Sequence, residues 1–100
     1  NVNTIEPTTP DICMVSVDQD TDKNLIVWEK PTSDSIQYYY IYKEIATNNY
    51  QIIGSRNYDE VSEFVDYNSL PNVHADRYKI SLVDVCNNES ALSTYHQTMN

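Results

Sequence analysis

The chain has 100 residues, a net charge of -9 and only six lysines and arginines. A chain of this length forms one domain around one modest core, and 40% hydrophobic residues exclude a disordered protein. Its acidic surface repels nucleic acid and anionic lipid, because phosphate binding needs clustered cations. The apolar runs are too short to cross a bilayer. We therefore expect no nucleic-acid partner and no membrane insertion.

The amino-terminal residues 1–11 are predicted to be a linker or an N-terminal edge, since Pro7 and Pro10 cannot donate backbone hydrogen bonds. Residues 12–100 are predicted to form the domain. Because the chain opens at Asn1 rather than at a methionine, we expect it to be a fragment of a longer precursor.

Seven short β segments separated by polar turns are predicted along the domain. In chain order they are Ile12–Val17, Leu25–Trp28, Ile36–Ile45, Tyr50–Ser55, Glu63–Asp66, Arg77–Val85 and a weaker Leu92–Met99. No segment carries an apolar stripe at helical spacing over three turns. The pattern favours an all-β fold, a seven-stranded antiparallel β-sandwich.

The turns contain little glycine, since Gly54 is the one glycine of the chain. Asparagine tolerates a positive φ better than other residues with a side chain. We expect it to replace glycine at Asn48–Asn49, Asn68, Asn72 and Asn87–Asn88.

Side chains alternate between the two faces of a strand, and this period predicts the core. The predicted interior is centred on Trp28 and Tyr78, and its members are Trp28, Tyr39, Ile41, Tyr78, Ile80 and Leu82. In the second strand, Ile26 is predicted to point to the same face as Trp28. In the first strand, the side chains predicted to point inward are Cys13, Val15 and Val17. The opposite face of the sixth strand, with Lys79 and Ser81, is expected to be exposed to solvent.

Several segments of the chain resemble those of fibronectin type III domains. Leu25–Pro31 resembles their second strand, with a tryptophan followed shortly by a proline, and Tyr39–Lys43 is similar to the third strand of bacterial members. Leu70–Pro71 followed by Tyr78–Ile80 is similar to the tyrosine corner. Asp84–Ser90 resembles the end of the sixth strand in bacterial versions, where Asn87 stands in place of glycine.

The resemblance implies the immunoglobulin-like sandwich and a place in a large secreted or surface-attached bacterial protein. Such modules act as spacers or adhesive units, so the expected localisation is extracellular or at the cell surface. The expected partners are neighbouring domains of the same polypeptide, with glycans or surface proteins as further candidates.

Cys13 and Cys86 are the two cysteines of the chain. From the residues alone, a disulfide and two buried thiols are equally good interpretations. In the sandwich implied by the resemblance, the two cysteines lie near one another at one pole, and this favours a disulfide. A loop of about 70 residues closed in this way would stabilise the fold by ~4 kcal/mol.

Asp18, Asp20 and Asp22 alternate as in a calcium loop, but Lys23 stands where such a loop needs glycine. An acidic, solvated hairpin turn is the better interpretation, and calcium is a weak alternative. We predict no catalytic residues and no cofactor, because the acidic residues lie mostly in turns and nothing indicates a cleft between paired carboxylates.

Tyr38, Tyr40 and Tyr42 form a row on the outer face if Tyr39 points inward. Aromatic rings on a surface stack on sugars and anchor protein interfaces. The alternative is packing on neighbouring strands, against Val83 or Val85.

The sequence thus favours a non-catalytic structural or interaction module. A carbohydrate-binding module that uses the outer tyrosines is the first alternative. An accessory domain that contributes to an enzyme is the second.

Overall fold

Two three-stranded antiparallel sheets make up the sandwich in the computed structural model, which describes residues 7–98. One sheet has the order β1-β2-β5 and the other the order β4-β3-β6. The strands are β1 Ile12–Asp18, β2 Lys23–Trp28, β3 Ile36–Ala46, β4 Asn49–Asn57, β5 Glu63–Asp66 and β6 Tyr78–Asp84. Within the described range no helix is long and apolar enough to cross a membrane.

The core lies between the facing sides of the two sheets. Alternate side chains of β2, β3 and β6 enter it, as the two-residue period of a strand requires. The buried cluster consists of Ile12, Val15, Ile26, Trp28, Tyr39, Ile41, Tyr78, Ile80 and Leu82. All the side chains that the sequence assigned to the interior from β2, β3 and β6 lie in this cluster.

Strand β1 departs from simple alternation, and here the sequence-based assignment is wrong for Cys13 and Val17 but confirmed for Val15. The register against β2 shifts between Ile12 and Met14, which marks a β-bulge. The extra residue reverses the alternation, so Ile12 and Val15 are buried whereas Cys13 is exposed. Val17 is 39% exposed and lies outside the core.

The predicted seventh strand, Leu92–Met99, is also wrong as a regular strand. The described part of this segment runs beside β6 and meets it at one isolated bridge, between Tyr78 and His96. Met99 lies outside the described residues. Residues 7–98 therefore contain six strands.

Serine hydroxyls explain why this segment is irregular. Ser90 N donates to Leu82 O, and Leu82 N donates back to Ser90 Oγ. Ser93 N donates to Ile80 O in the same way, and Ile80 N donates to Ser93 Oγ. The segment thus advances three residues for every two residues of β6. The serine hydroxyl oxygens accept hydrogen bonds from β6 N–H groups that would bind backbone carbonyls in a regular strand.

Asparagine takes over the turn role of glycine at two of the expected places. Asn48, between β3 and β4, has a φ of 59°, and Asn87, after β6, has a φ of 65°. The turn between β1 and β2 uses Asp22 in the same way, with a φ of 58°. Asn and Asp occupy this left-handed region more readily than other residues with a side chain.

The amino-terminal segment is described from Pro7 onward, and Asn1–Glu6 lie outside the described residues. Residues 7–11 form no strand, although Pro10 is buried. The domain boundary at residue 12 remains a prediction.

Gly54 in β4 gives room to an aromatic ring rather than to a turn. A Cβ atom at this position would collide with the ring of Phe64, on strand β5 of the other sheet, and would lie 2.5 Å from its Cζ atom. The guanidinium of Arg56 stacks over the Phe64 ring, with its Cζ atom 4.9 Å from the ring centroid. Gly54 is therefore a packing requirement where β4 meets β5.

We expect Gly54→Ala to lower the free energy of unfolding by about 1–3 kcal/mol, because the Phe64 ring must shift to admit the methyl group. Chemical denaturation followed by tyrosine or tryptophan fluorescence measures this change. Ser55→Ala, at an exposed neighbouring position, is the matched control and should stay within about 0.5 kcal/mol of the parent. Equal stability of the two variants would contradict this packing role.

Candidate functional site

Three tyrosines follow the outer face of β3 in the sheet β4-β3-β6. Tyr38, Tyr40 and Tyr42 alternate with the inward Tyr39 and Ile41, and all three are half-buried. Neighbouring rings of the row meet edge to face, with centroids 5.1 Å apart for Tyr38 and Tyr40 and 6.4 Å apart for Tyr40 and Tyr42. The rings therefore do not form one flat platform, and they offer edges and hydroxyls to a partner.

The tyrosine row also protects part of β6. Val83 and Ser81 stand opposite Tyr38 and Tyr40, and both are buried although they lie on the outer face. The expectation that Ser81 is wet is wrong, because the row and the segment after β6 cover it. Val85, the other apolar residue considered as a packing partner, is exposed.

Hydrogen bonds fix the tyrosine row in place. The hydroxyls of Tyr38 and Tyr40 are 3.3 Å apart and share a hydrogen bond. Tyr42 donates its hydroxyl proton to Glu89 Oε2, which also accepts from Ser81 Oγ at 2.7 Å. These bonds hold the rings in defined orientations.

Tyr38 and Tyr42 are uncharged at neutral pH. Burial and the hydrogen bond to Glu89 raise the pKa of Tyr42 to about 12. The hydrogen bond with Tyr40 raises the pKa of Tyr38 above its ordinary value. A ligand would therefore meet phenol groups that both donate and accept hydrogen bonds.

Two cations extend this face beyond the row. Lys79 Nζ lies 4.5 Å from the ring centroid of Tyr50, and Arg77 Cζ lies 4.4 Å from that of Tyr95. Among residues 7–98, neither cation lies within ion-pair distance of a carboxylate. In the sequence, Arg77 and Lys79 stand on either side of the inward Tyr78. This spacing is the sequence signal that both cations lie on the outer face.

The acidic turn between β1 and β2 contains the weak calcium candidates. Asp18 Oδ2 accepts hydrogen bonds from Thr21 N at 3.1 Å and Thr21 Oγ1 at 2.8 Å, so this carboxylate closes the turn. Asp20 and Asp22 are exposed. Across the described range, no group of three or more His, Cys, Asp or Glu could hold a metal ion.

The two cysteines are free thiols, and both are exposed. The disulfide implied by the resemblance is therefore not found, and this expectation is wrong. The bulge in β1 turns Cys13 out of the core, and Cys86 lies in the turn after β6, where its N–H donates to Asp84 Oδ1. Neither thiol has the inward position that the pairing required.

Solved structures share this arrangement of strands, whereas no protein-family model and no curated protein matches the sequence. An Fn3-like protein from Clostridium thermocellum superposes with a TM-score of 0.74 at 13% identity, over 95% of this chain and 94% of that one. A likeness over nearly the full length of both chains decides the fold. The chain has the fibronectin type III fold.

Larger proteins contain the same fold as one part. A pectate lyase from Erwinia chrysanthemi, solved in complex with tetragalacturonic acid, matches with a TM-score of 0.63 at 15% identity, over 84% of this chain and 27% of that one. A beta-1,2-glucanase from Parabacteroides distasonis matches with a TM-score of 0.60 at 20% identity, over 90% of this chain and 13% of that one. In both, the fibronectin type III-like module occupies a minor share of the chain.

A buried polar network at one pole of the fibronectin type III fold was missed from the sequence. The hydroxyl of Tyr78 donates to Asp66 Oδ2 at 2.7 Å and accepts from Asn24 Nδ2 at 2.9 Å. Lys43 Nζ lies 2.8 Å from the same Asp66 oxygen and 3.5 Å from Asp76 Oδ2. The resemblance placed Tyr78 at a corner with Leu70–Pro71, but its hydroxyl bonds to β2 and to the end of β5.

The charge state of this network follows from its contacts. Burial by itself would raise the pKa of Asp66, but hydrogen bonds from Lys43 and Tyr78 outweigh it and hold the pKa below its ordinary value. Burial and the adjacent carboxylate raise the pKa of Tyr78. Asp66 is therefore ionised and Tyr78 neutral at pH 7, and the network is a structural element of the module.

Proposed function

We propose that this chain is a non-catalytic structural module of a larger secreted or cell-surface protein, which spaces and orients neighbouring domains. The fold supports this proposal, because related structures contain it as a minor part of longer chains. The extracellular location follows from the sequence resemblance to bacterial fibronectin type III modules.

The positions of the two chain ends provide the main structural support. Residues 7–13 lie beside Asp84, at the end of β6. At the other end of the chain, Gln97 Oε1 accepts a hydrogen bond from Arg77 Nε, just before β6 begins. The two ends of the described part, residues 7–98, therefore lie at opposite poles, an arrangement that suits a unit of a linear array.

A tandem protein tests the spacer role. Two copies of the chain joined in series should scatter X-rays as a rod about twice as long as the 51 Å longest dimension of one copy. The single chain should unfold in one reversible transition, and it should release no product from polysaccharides. A compact side-by-side pair, or a chain that folds only with a neighbouring domain, would refute the role.

Carbohydrate binding by the tyrosine row is the second candidate function. Its support is the row of half-exposed phenols, together with the presence of this fold in enzymes named for pectate and β-1,2-glucan. The same likeness supports an accessory role beside an enzyme domain. On either view, the rings of Tyr38, Tyr40 and Tyr42 contact the sugar chain.

Substitution of the central ring tests this candidate. Tyr40→Ala should weaken binding to oligogalacturonate or β-1,2-glucan about 2- to 13-fold or more, measured by calorimetry, because each good ring contact contributes about 0.5–1.5 kcal/mol beyond its area. Tyr67→Ala, a change at a tyrosine that is 68% exposed and lies outside the row, should leave binding intact. No binding by the parent chain, or equal losses in both variants, would exclude the tyrosine row as a sugar site.

A further inference from the structure

A groove of about 870 Å³ lies at the pole where the described chain begins, and neither proposed function uses it. It opens between residues 7–13, the loop from β2 to β3, and the end of β6. Ile12 and Leu82, both 3% exposed, line it together with the half-buried Ile36. Its volume is in the range of sites that hold ligands, and its exposed lining is about equally polar and apolar.

Proline residues give the groove stiff walls. Three of the four prolines of the chain, Pro7, Pro10 and Pro31, line it. The proline ring fixes φ and removes the backbone donor, so these walls have few alternative conformations. A stiff groove needs little ordering when it binds a ligand.

The charged side chains that line the groove are all acidic. Asp11 and Glu29 line it, both are exposed, and neither forms an ion pair within residues 7–98. The third carboxylate, that of Asp84, accepts hydrogen bonds from backbone N–H groups of the turn after β6. The described lining contains no lysine, arginine or histidine.

The cation next in sequence to the groove is directed away from it. Lys30 Nζ donates to Glu60 O at 2.6 Å and lies 5.2 Å from the ring centroid of Tyr58. Lys30 is therefore held by the loop from β4 to β5 and does not neutralise Glu29. The groove therefore combines proline rings and a small apolar floor with unpaired negative charge.

We propose that this groove binds an extended cationic peptide segment, supplied by another domain or protein, in which a lysine or arginine follows an apolar side chain. The apolar side chain packs against the half-buried Ile36, above Ile12 and Leu82, and the cation lies between Asp11 and Glu29. Like charge disfavours acidic peptides and anionic lipid surfaces at the same place.

The thiol of Cys13 lines the groove and reports on its charge. In a Cys86→Ser background, a cationic methanethiosulfonate should modify Cys13 several-fold faster than an anionic one. Asp11→Asn with Glu29→Gln should reduce this ratio. In a Cys13→Ser background, the same pair of changes should leave the ratio at Cys86 unaltered. Equal rates of the two reagents at Cys13 would overturn the charge assignment.

Peptide titration tests the binding itself. An acetylated pentapeptide Ser-Leu-Lys-Leu-Ser should shift the amide resonances of Ile12, Ile36 and Leu82 in heteronuclear NMR spectra. The version with glutamate in place of lysine should not shift them. Asp11→Asn with Glu29→Gln should weaken binding of the lysine peptide about 2- to 10-fold, as expected for two exposed ion pairs.

A control variant with the same net charge as the groove variant distinguishes attraction of the peptide to the groove from attraction to the whole acidic protein. Asp20→Asn with Asp59→Asn removes two exposed carboxylates that do not line the groove, and it should leave peptide binding unchanged. Equal losses in the two double variants, equal affinity for the lysine and glutamate peptides, or shifts confined to other residues would each overturn the proposal.

Discussion

Replacing Trp28 by alanine is expected to lower the free energy of unfolding by about 3–5 kcal/mol. Trp28 is 2% exposed, and its ring lies 5.4 Å from that of Tyr39 in a tilted contact between the two sheets. Truncation to alanine leaves a cavity that a two-sheet core cannot close. Because small domains have a total stability of only about 5–15 kcal/mol, the variant should be close to unfolding at 37 °C.

Trp28→Phe separates loss of volume from loss of an aromatic contact. It keeps a ring against Tyr39, so its cost should be smaller, about 1–3 kcal/mol. Urea denaturation followed by far-ultraviolet circular dichroism suits this series, because the variants lack the tryptophan fluorophore. An alanine variant within about 1 kcal/mol of the parent would show that Trp28 is not at the centre of the core.

Replacing Asp66 by alanine is expected to cost about 3–5 kcal/mol, because the buried partners of its carboxylate are left unpaired. These partners are the ammonium of Lys43 and the hydroxyl of Tyr78. The exposed Asp59→Ala is the matched control, with an expected change within about 0.5 kcal/mol.

The double variant Asp66→Leu with Lys43→Met removes both charges together. It should recover much of the stability lost in Asp66→Ala, because hydrophobic residues often replace a buried ion pair without loss. Failure of the double variant to recover stability would place the cost in the remaining partners, Tyr78, Asn24 and the Asp76 carboxylate, rather than in the ion pair of Asp66 and Lys43.

The same carboxyl group predicts a dependence of stability on pH. Because the pKa of Asp66 is lower in the folded state than in the unfolded chain, its contribution is fully present above the unfolded pKa of about 3.9 and is lost as the pH falls through the folded pKa. The difference in unfolding free energy between the parent and Asp66→Asn should therefore shrink from about pH 5 downward. A difference that stays constant down to pH 2 would contradict the lowered pKa.

The chemistry of the surface divides into three areas of different character. The tyrosine row is neutral and rich in hydroxyls, the end of the same face carries Arg77 and Lys79 over aromatic rings, and the groove is negative. These areas differ in the partners they would admit. Binding assays with neutral, acidic and basic probes should therefore give separable effects on variants of each area.

The sequence by itself determined which residues of the regular strands form the core. In β2 and β6, local alternation places Trp28, Tyr78, Ile80 and Leu82 inward, and the structure buries all of them. In β3, alternation allowed either face, and the favoured face, with Tyr39 and Ile41, is the buried one. Asparagine in the role of glycine was predictable at Asn48 and Asn87 for the same kind of reason, because tolerance of positive φ belongs to the residue itself.

Only the tertiary structure decided the features that depend on partners distant in the chain. The bulge in β1 turns Cys13 outward because of its pairing with β2, and alternation within β1 gives no sign of it. Ser90 and Ser93 bind β6 through their hydroxyls. The side chain of Lys43 lies in the interior because it forms an ion pair with the buried Asp66. A local pattern specifies the side on which a residue prefers to lie, but a bulge, a polar pairing or a groove exists only once separate segments meet.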